Sequence, residues 1–302
     1  MYDIVIIGAG PAGLTAATYS LRAGKTVLII EKAGFGGQVA FSPKIENFPG
    51  IVSVPGSELA ERLVEQPLEL GAETAFGEVT GIHGTPGSFT VTTEDEEYAC
   101  KAIIIASGAK HRRLNVEGED TFAGNGVSYC AVCDGAFFAS QNVAIVGGGN
   151  SALQEAVLLS DICESVTIIQ NLPFLTGEAR LQEILNERKN VRIITSVTVD
   201  RLFGGEALEG AVIRHAETGE TETVSCTGLF VAIGLEPQNA AFADVVALDE
   251  QGYIIAGEDC RTSADGICAA GDCRTKSVRQ ITTAAADGAV ASVAVCRAIN
   301  AL

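Results

Sequence analysis

The feature that most constrains this chain is an internal repeat. A short apolar run, a glycine-rich turn, a helix-forming stretch and a second apolar run occur twice. The first copy is YDIVIIGAGPAGLTAA followed by AGKTVLIIEK, and the second is NVAIVGGGNSALQEA followed by ESVTIIQN. Glu31 stands 23 positions after Gly8, and Gln170 stands 23 positions after Gly147. Runs such as IVII, VLII, VAIV and VTII suit parallel strands buried on both faces. Two such units predict an α/β fold with two Rossmann-like dinucleotide-binding domains.

Each unit has a candidate closing strand: Lys101–Ala106 ending in Ser107-Gly108, and Gly228–Ala232 ending in Ile233-Gly234. The Gly-Asp turn at Ala269–Asp272 and a last helix over Thr282–Ile299 then follow. This order predicts that the second domain is inserted into the first. The first domain takes residues 1–112 and 241–302, and the second takes 113–240. The crossings near Leu114 and Pro237 are candidate hinges.

The 302 residues suffice for about two domains. The net charge of −18 argues against nucleic acid or an anionic membrane as a general partner, because both attract basic surfaces. No run of eighteen apolar residues is seen; the most apolar C-terminal stretch is broken by Asp287, Gly288 and Arg297. Nine scattered cysteines do not form the framework of a small secreted domain, so a reducing cytoplasm is the expected location.

Gly8, Gly10, Pro11, Ala12 and Gly13 follow a strand and open a helix. Glycines there allow a tight turn and let backbone N–H groups approach a pyrophosphate, and the helix N-terminus favours negative charge. Glu31 ends the next strand, where a carboxylate can accept hydrogen bonds from ribose hydroxyls. Strand, turn, helix and acid together make a dinucleotide site.

Cys130 and Cys133 are the only cysteines with C-x-x-C spacing. That spacing lets two sulfurs bond and cycle between dithiol and disulfide. Half of a zinc site is the alternative, but there is no second such pair, and His83, His111 and His215 stand apart, so no metal is expected. Asp134 beside the pair is a candidate proton donor or acceptor, or simply half of an Asp-Gly turn. The other seven cysteines read as buried small hydrophobes, and Cys273, after the Gly-Asp turn, is a candidate for a redox role.

Gly36-Gly37-Gln38, Glu46 to Gly50 around Asn47, Ala106-Ser107-Gly108-Ala109, Ala270-Gly271-Asp272, Arg279-Gln280-Ile281 and the segment Cys130 to Gly135 resemble, along essentially the whole chain, low-molecular-weight thioredoxin reductases. The resemblance implies an FAD-dependent enzyme. FAD would be held by the first glycine turn and by Gly37, Gln38, Asn47, Ala106, Gly108, Gly271, Asp272, Arg279, Gln280 and Ile281. It further implies that Cys133 is the sulfur nearer the flavin, that Cys130 exchanges with oxidised thioredoxin, that Asp134 moves the proton, and that the chain forms a homodimer.

The second site departs from the family. NADPH-dependent members hold the 2′-phosphate with arginines after the second strand. Here that strand leads into Gln170-Asn171-Leu172-Pro173-Phe174-Leu175, and no Lys or Arg lies between Cys163 and Arg180. Nor is an acid present at position 170 to hold an NAD ribose. The expectation is therefore that nicotinamide binding is weakened and that electrons come from reduced ferredoxin, as in the branch of the family that lacks these arginines. Lys110, Arg112 and Arg113, or Arg274, Lys276 and Arg279, are candidate landing patches for it. The alternatives are an NADPH-dependent thioredoxin reductase binding through Arg180 or Arg188, an oxygen-dependent FAD dithiol oxidase, and a flavin-bound redox sensor.

Overall fold

The computed structural model describes residues 1–42 and 44–301. In chain order its elements begin with β1 (Tyr2–Ile7), α1 (Pro11–Arg22), β2 (Val27–Glu31), α2 (Gly56–Glu69), β3 (Glu73–Phe76), β4 (Val79–Thr85), β5 (Ser88–Thr93), β6 (Glu97–Ile105) and β7 (Ala109–His111). Next come α3 (Glu119–Phe122), β8 (Val127–Ser128), α4 (Ala131–Asp134), β9 (Asn142–Val146), α5 (Asn150–Ile162), β10 (Ser165–Ile169), α6 (Ala179–Glu187) and β11 (Val191–Ile194). The chain closes with β12 (Val197–Gly204), β13 (Leu208–His215), β14 (Thr221–Ser225), β15 (Gly228–Val231), β16 (Leu235–Pro237), β17 (Ile267–Ala269) and α7 (Ile281–Asn300).

The chain divides into two compact units, Met1–Lys110 with Glu236–Leu302, and His111–Leu235. The crossings therefore fall two and five residues earlier than the expected bounds after 112 and before 241. The physical reason for the second shift is Asn239. Its buried amide donates to Gly252 O at 2.9 Å and to Cys273 O at 2.8 Å, which ties the segment after Leu235 into the first unit.

In the first unit β3, β2, β1, β6 and β17 are parallel, in that order, and β5 and β4 extend the sheet antiparallel from β6. Alternation places Ile4 and Ile6 in one apolar cluster, with α1 and α7, and Val5 and Ile7 in the cluster on the other face. The apolar run is thus explained by burial on both sides. Helix α7 is longer by one residue at each end than the expected Thr282–Ile299. Its twenty residues would be long and apolar enough to cross a membrane by length and composition alone. In this fold it is a core helix, and its Gly288 lies so close to α1 that a Cβ there would meet Ala12 O at 2.1 Å. Gln280 caps it, in a reciprocal capping box with Thr283.

The second unit repeats the plan with a parallel sheet in the order β11, β10, β9, β15, β8, and adds the antiparallel sheet β12–β13–β14. The repeat holds down to single bonds. Gly8 N donates to Ile30 O at 2.8 Å, and Gly147 N to Ile169 O at 2.9 Å. Ala106 N donates to Ile7 O and Ala232 N to Val146 O, both at 2.8 Å.

Candidate active site and cofactor cradle

The first glycine turn is built by close approach. Gly8 has φ +105°, and a Cβ on it would lie 2.3 Å from Ala106 O, so a side chain is excluded on both counts. Beyond it the N-terminus of α1 is open: Gly10 has no side-chain cap, no acid sits in the first turn, and nothing lies within 4 Å of where a Gly10 Cβ would stand. Orphan N–H groups facing free space fit a pyrophosphate. Glu31 Oε2 accepts from Ala9 N at 2.8 Å, and Oε1 accepts from Ala33 N at 2.9 Å. Each carboxylate oxygen keeps a lone pair for a ribose hydroxyl.

The remaining expected cofactor residues belong to the same unit. Gly37 opens a short 3-10 helix, and a Cβ on it would meet Gly10 Cα at 3.1 Å, which sets this loop over the glycine turn. Gln38 donates its amide to Ala109 O, just after Gly108. Asn47 donates to Gln280 Oε1 at 3.1 Å, beside Ile281 at the start of α7. Gly271, at φ +82°, donates its N–H to Asp287 Oδ2 at 3.0 Å. Two buried polar atoms nearby have no hydrogen-bond partner among the described residues: Asp272 Oδ1 and Arg279 Nε. Burial pushes the Asp272 carboxyl up, against the pull of Lys276 and Arg279. The Arg279 guanidinium sits 4.3 Å from the centre of the Tyr253 ring. Unmatched buried donors and acceptors beside an open phosphate cradle suit a large polar dinucleotide such as FAD.

Cys130 and Cys133 form a disulfide with a Cα–Cα distance of 5.3 Å. Cys130 is the N-cap of α4, and its sulfur accepts from Cys133 N at 3.2 Å. An N–H aimed at sulfur stabilises a thiolate there after reduction. Asp134 ends α4. Burial raises its carboxyl, and a hydrogen bond from Ser128 lowers it in part. Two residues that motif reading missed complete this site. Ser128 Oγ lies 2.6 Å from Asp134 Oδ2, and Glu155 Oε2 accepts from Ala131 N at 3.4 Å. Burial pushes the Glu155 carboxyl up to about 7, and the Ala131 N–H opposes the shift. Ser128 could have been suspected from its place two positions before Cys130; Glu155 is remote in sequence and carries no local signal.

The second glycine turn copies the first in backbone but not in side chains. Gly147 has φ +135°, and a Cβ on it would lie 2.4 Å from Ala232 O. Gln170 replaces the open carboxylate of Glu31. It is buried, its Nε2 donates to Phe174 O at 3.2 Å, and its side chain packs so near Gly148 that a Cβ there would lie 2.5 Å from Nε2. The loop after it folds back onto the turn, with Thr176 N at 2.8 Å and Gly177 N at 2.9 Å from Gly148 O. No Lys or Arg occupies residues 170–177. Of the two alternative arginines, Arg188 is paired with Asp161.

One expected landing patch is corrected. Arg274 and Lys276 are not surface cations: their side chains are 9% and 7% exposed, and both bind Asp287. Desolvation explains the pairing, since a buried cation is tolerated only beside a counter-charge. Arg113 is likewise engaged, with Asp120 at 2.6 Å and Glu119 at 3.7 Å. All seven remaining cysteines are buried, and burial raises the Cys273 thiol to about 11, which leaves it inert as a thiolate.

A glycine-built dinucleotide cradle and a redox-active disulfide together define a flavin-linked disulfide oxidoreductase. Comparison with known proteins gives the same class: residues 2–288 match the family described as pyridine nucleotide-disulphide oxidoreductase. The chain is 40% identical over 292 residues to the thioredoxin reductase of Listeria monocytogenes, covering 96% of this chain and 92% of that one. It is 37% identical over 302 residues to that of Treponema pallidum, covering 100% and 98%. The crystal structure of thioredoxin reductase from Streptococcus pyogenes superposes with a TM-score of 0.96 at 39% identity, covering 100% and 99%. The chain belongs to the low-molecular-weight thioredoxin reductase family, whose cofactor is FAD. The ferredoxin-fed branch gains no support from these relatives, and a pyridine-nucleotide family fits the NADPH alternative better.

Proposed function

We propose that the chain reduces the disulfide of thioredoxin through Cys130 and Cys133, with a reduced nicotinamide nucleotide as electron donor. The observation that carries the acceptor half is the Cys130–Cys133 disulfide, with the Cys133 N–H aimed at the N-cap sulfur and two half-buried carboxyls beside it. Support for the donor half is the second glycine turn, whose backbone repeats that of the first, and the pyridine-nucleotide family match. Bound FAD supplies the two-electron chemistry that links donor to disulfide. The chain's residues do the rest. Gly8, Gly10, Ala12 and Gly13 would hold the pyrophosphate and Glu31 a ribose, and the unmatched polar atoms of Asp272 and Arg279 would bond the cofactor. Cys130 attacks the thioredoxin disulfide, Cys133 then displaces the reduced thioredoxin, and Asp134 takes and returns the proton.

One observation favours a second reading for the donor. The loop of residues 170–177 offers no cation to a 2′-phosphate and folds onto Gly148, as a one-electron donor such as reduced ferredoxin would permit. Oxidised holoenzyme is mixed anaerobically with NADPH, then NADH, then photoreduced ferredoxin, and flavin absorbance is followed. Rapid bleaching by a nicotinamide nucleotide is the expected result. Bleaching by ferredoxin alone would replace that donor with ferredoxin and leave the acceptor half intact.

A further inference from the structure

We propose that Ser128 is a positioning residue for the redox pair, fixing the Cys130 backbone and the Asp134 carboxyl through a single hydroxyl. The inference rests on the reading of Asp134 as the group that exchanges protons with the cysteines. Ser128 ends β8, is buried, and points its Oγ at three atoms of the next segment. Cys130 N donates to it at 3.1 Å, Asp134 Oδ2 lies at 2.6 Å, and Cys130 O lies at 3.4 Å.

A hydroxyl has one hydrogen and two lone pairs. When Asp134 is ionised, the hydrogen goes to Oδ2, and one lone pair takes Cys130 N–H. When Asp134 is protonated, its own O–H can donate to the second lone pair, and the serine hydrogen turns to Cys130 O. No heavy atom needs to move between the two states. The two arrangements are unequal, however. Cys130 O already accepts from Cys133 N at 3.2 Å and Asp134 N at 3.0 Å, so the turned bond is the poorer one. A hydrogen bond to a charged acceptor is also the stronger kind. Ser128 therefore opposes the burial that raises the Asp134 carboxyl.

The titratable groups around Asp134 are few. Cys130 caps its helix and Cys133 lies on it; from α5 comes Glu155, held to Ala131 N; from β8 Ser128 contributes a hydroxyl and no charge. Asp134 Oδ1 is buried with no partner among the described residues, so Ser128 supplies the hydrogen bond to this carboxyl. In the exchange step a dithiol loses two S–H bonds and closes to a disulfide, while the acceptor's S–S bond opens and gains two protons. Asp134 relays one of them, and it must be ionised to accept it.

The test uses holoenzyme reduced anaerobically with dithionite and mixed with 5,5′-dithiobis(2-nitrobenzoate), following thiolate release from pH 5 to 9. The parent should show a fall in rate on the acid side. In Ser128→Ala that limb should move up by about one pH unit, since a hydrogen bond to an ionised group is worth at least that much. FAD content should stay unchanged. Ser128→Thr, which keeps the hydroxyl, should return the limb to the parent position, and it also serves should the alanine variant fold poorly. A Ser128→Ala limb that coincides with the parent's, while Asp134→Asn abolishes that limb, would overturn the role of Ser128 alone. If Asp134→Asn keeps the parent profile, the proton-relay reading of Asp134 falls and this inference falls with it.

Discussion

Asp287→Ala should strongly destabilise the first unit. The carboxylate lies on α7 with its side chain 10% exposed. It accepts from Gly271 N at 3.0 Å, Arg274 Nε at 2.8 Å, Arg274 Nη2 at 2.7 Å and Lys276 Nζ at 2.8 Å. Burial by itself would raise this carboxyl; the bonds from Arg274 and Lys276 outweigh it, and the net direction is downward. Alanine removes all four bonds and leaves two cations in a site where each is less than a tenth exposed. Breaking a buried pair by deleting one partner costs about 3–5 kcal/mol. At about 2–4 °C per kcal/mol for a domain of this size, the melting temperature should fall by about 10 °C. Because Gly271 N loses its acceptor, the turn carrying Asp272 loosens, and FAD should leave before the backbone melts. Flavin fluorescence and circular dichroism on the same heating ramp read both events. The native contribution is a depressed acid, so it is full above the unfolded value, about pH 4, and is lost as pH falls through the folded one. A melting drop of under about 2 °C at pH 7 would show that the cluster is no net support, and the reasoning from desolvation would be wrong.

Other perturbations follow from the same geometry. Gly10→Ala adds a Cβ into space where no atom lies within 4 Å, so the apoprotein should keep its melting temperature. If this turn holds the pyrophosphate as proposed, the methyl would crowd it, and FAD affinity measured by fluorescence quenching should drop by about tenfold or more. Gly8→Ala should instead yield colourless protein that melts early, because the new Cβ would meet Ala106 O. Glu155 has a folded value of about 7 against an ordinary 4.5, so the folded chain holds a proton that the unfolded chain releases. Stability therefore falls as pH rises from about 4.5 to about 7 and is flat above. Glu155→Gln should melt higher than the parent at pH 8 and equally at pH 4.5; a constant difference at both would refute the assignment. Asn171→Arg with Leu172→Arg should lower the KM for NADPH more than that for NADH, since only NADPH carries a 2′-phosphate.

What could be read from the chain, and what could not, divides along a physical line. Backbone geometry leaves a pattern in sequence. The apolar strand runs, the glycine turns that start at positions 8 and 147, and the C-x-x-C spacing are local and were legible. Side-chain partnerships across long separations leave none. Arg274 and Lys276 look like surface cations until α7 brings Asp287 to them, and Glu155 is an ordinary helix residue until α5 packs beside α4. The second limit of the inserted unit falls earlier than expected for the same reason, because the bonds of Asn239 to Gly252 and Cys273 tie that segment to the first unit.

Gln170 shows how that division bears on function. Its register with Glu31 was visible from spacing, and the loss of a carboxylate and of every nearby cation was visible from composition. Its burial was not. Glu31 leaves lone pairs open beside its glycine turn, whereas Gln170 spends its amide on Phe174 O and lies over Gly148. A nucleotide entering the second unit must therefore meet a turn whose central carbonyl already holds Thr176 N and Gly177 N. Backbone homology argues that the second unit can take a dinucleotide, and side-chain chemistry argues that it holds one weakly. Both follow if the glycine turn is kept for the parallel strand and helix it joins, since Gly147 is needed to clear Ala232 O whether or not a phosphate is bound. Substitution in residues 170–177, rather than at the glycines, should therefore change donor choice while the fold does not change.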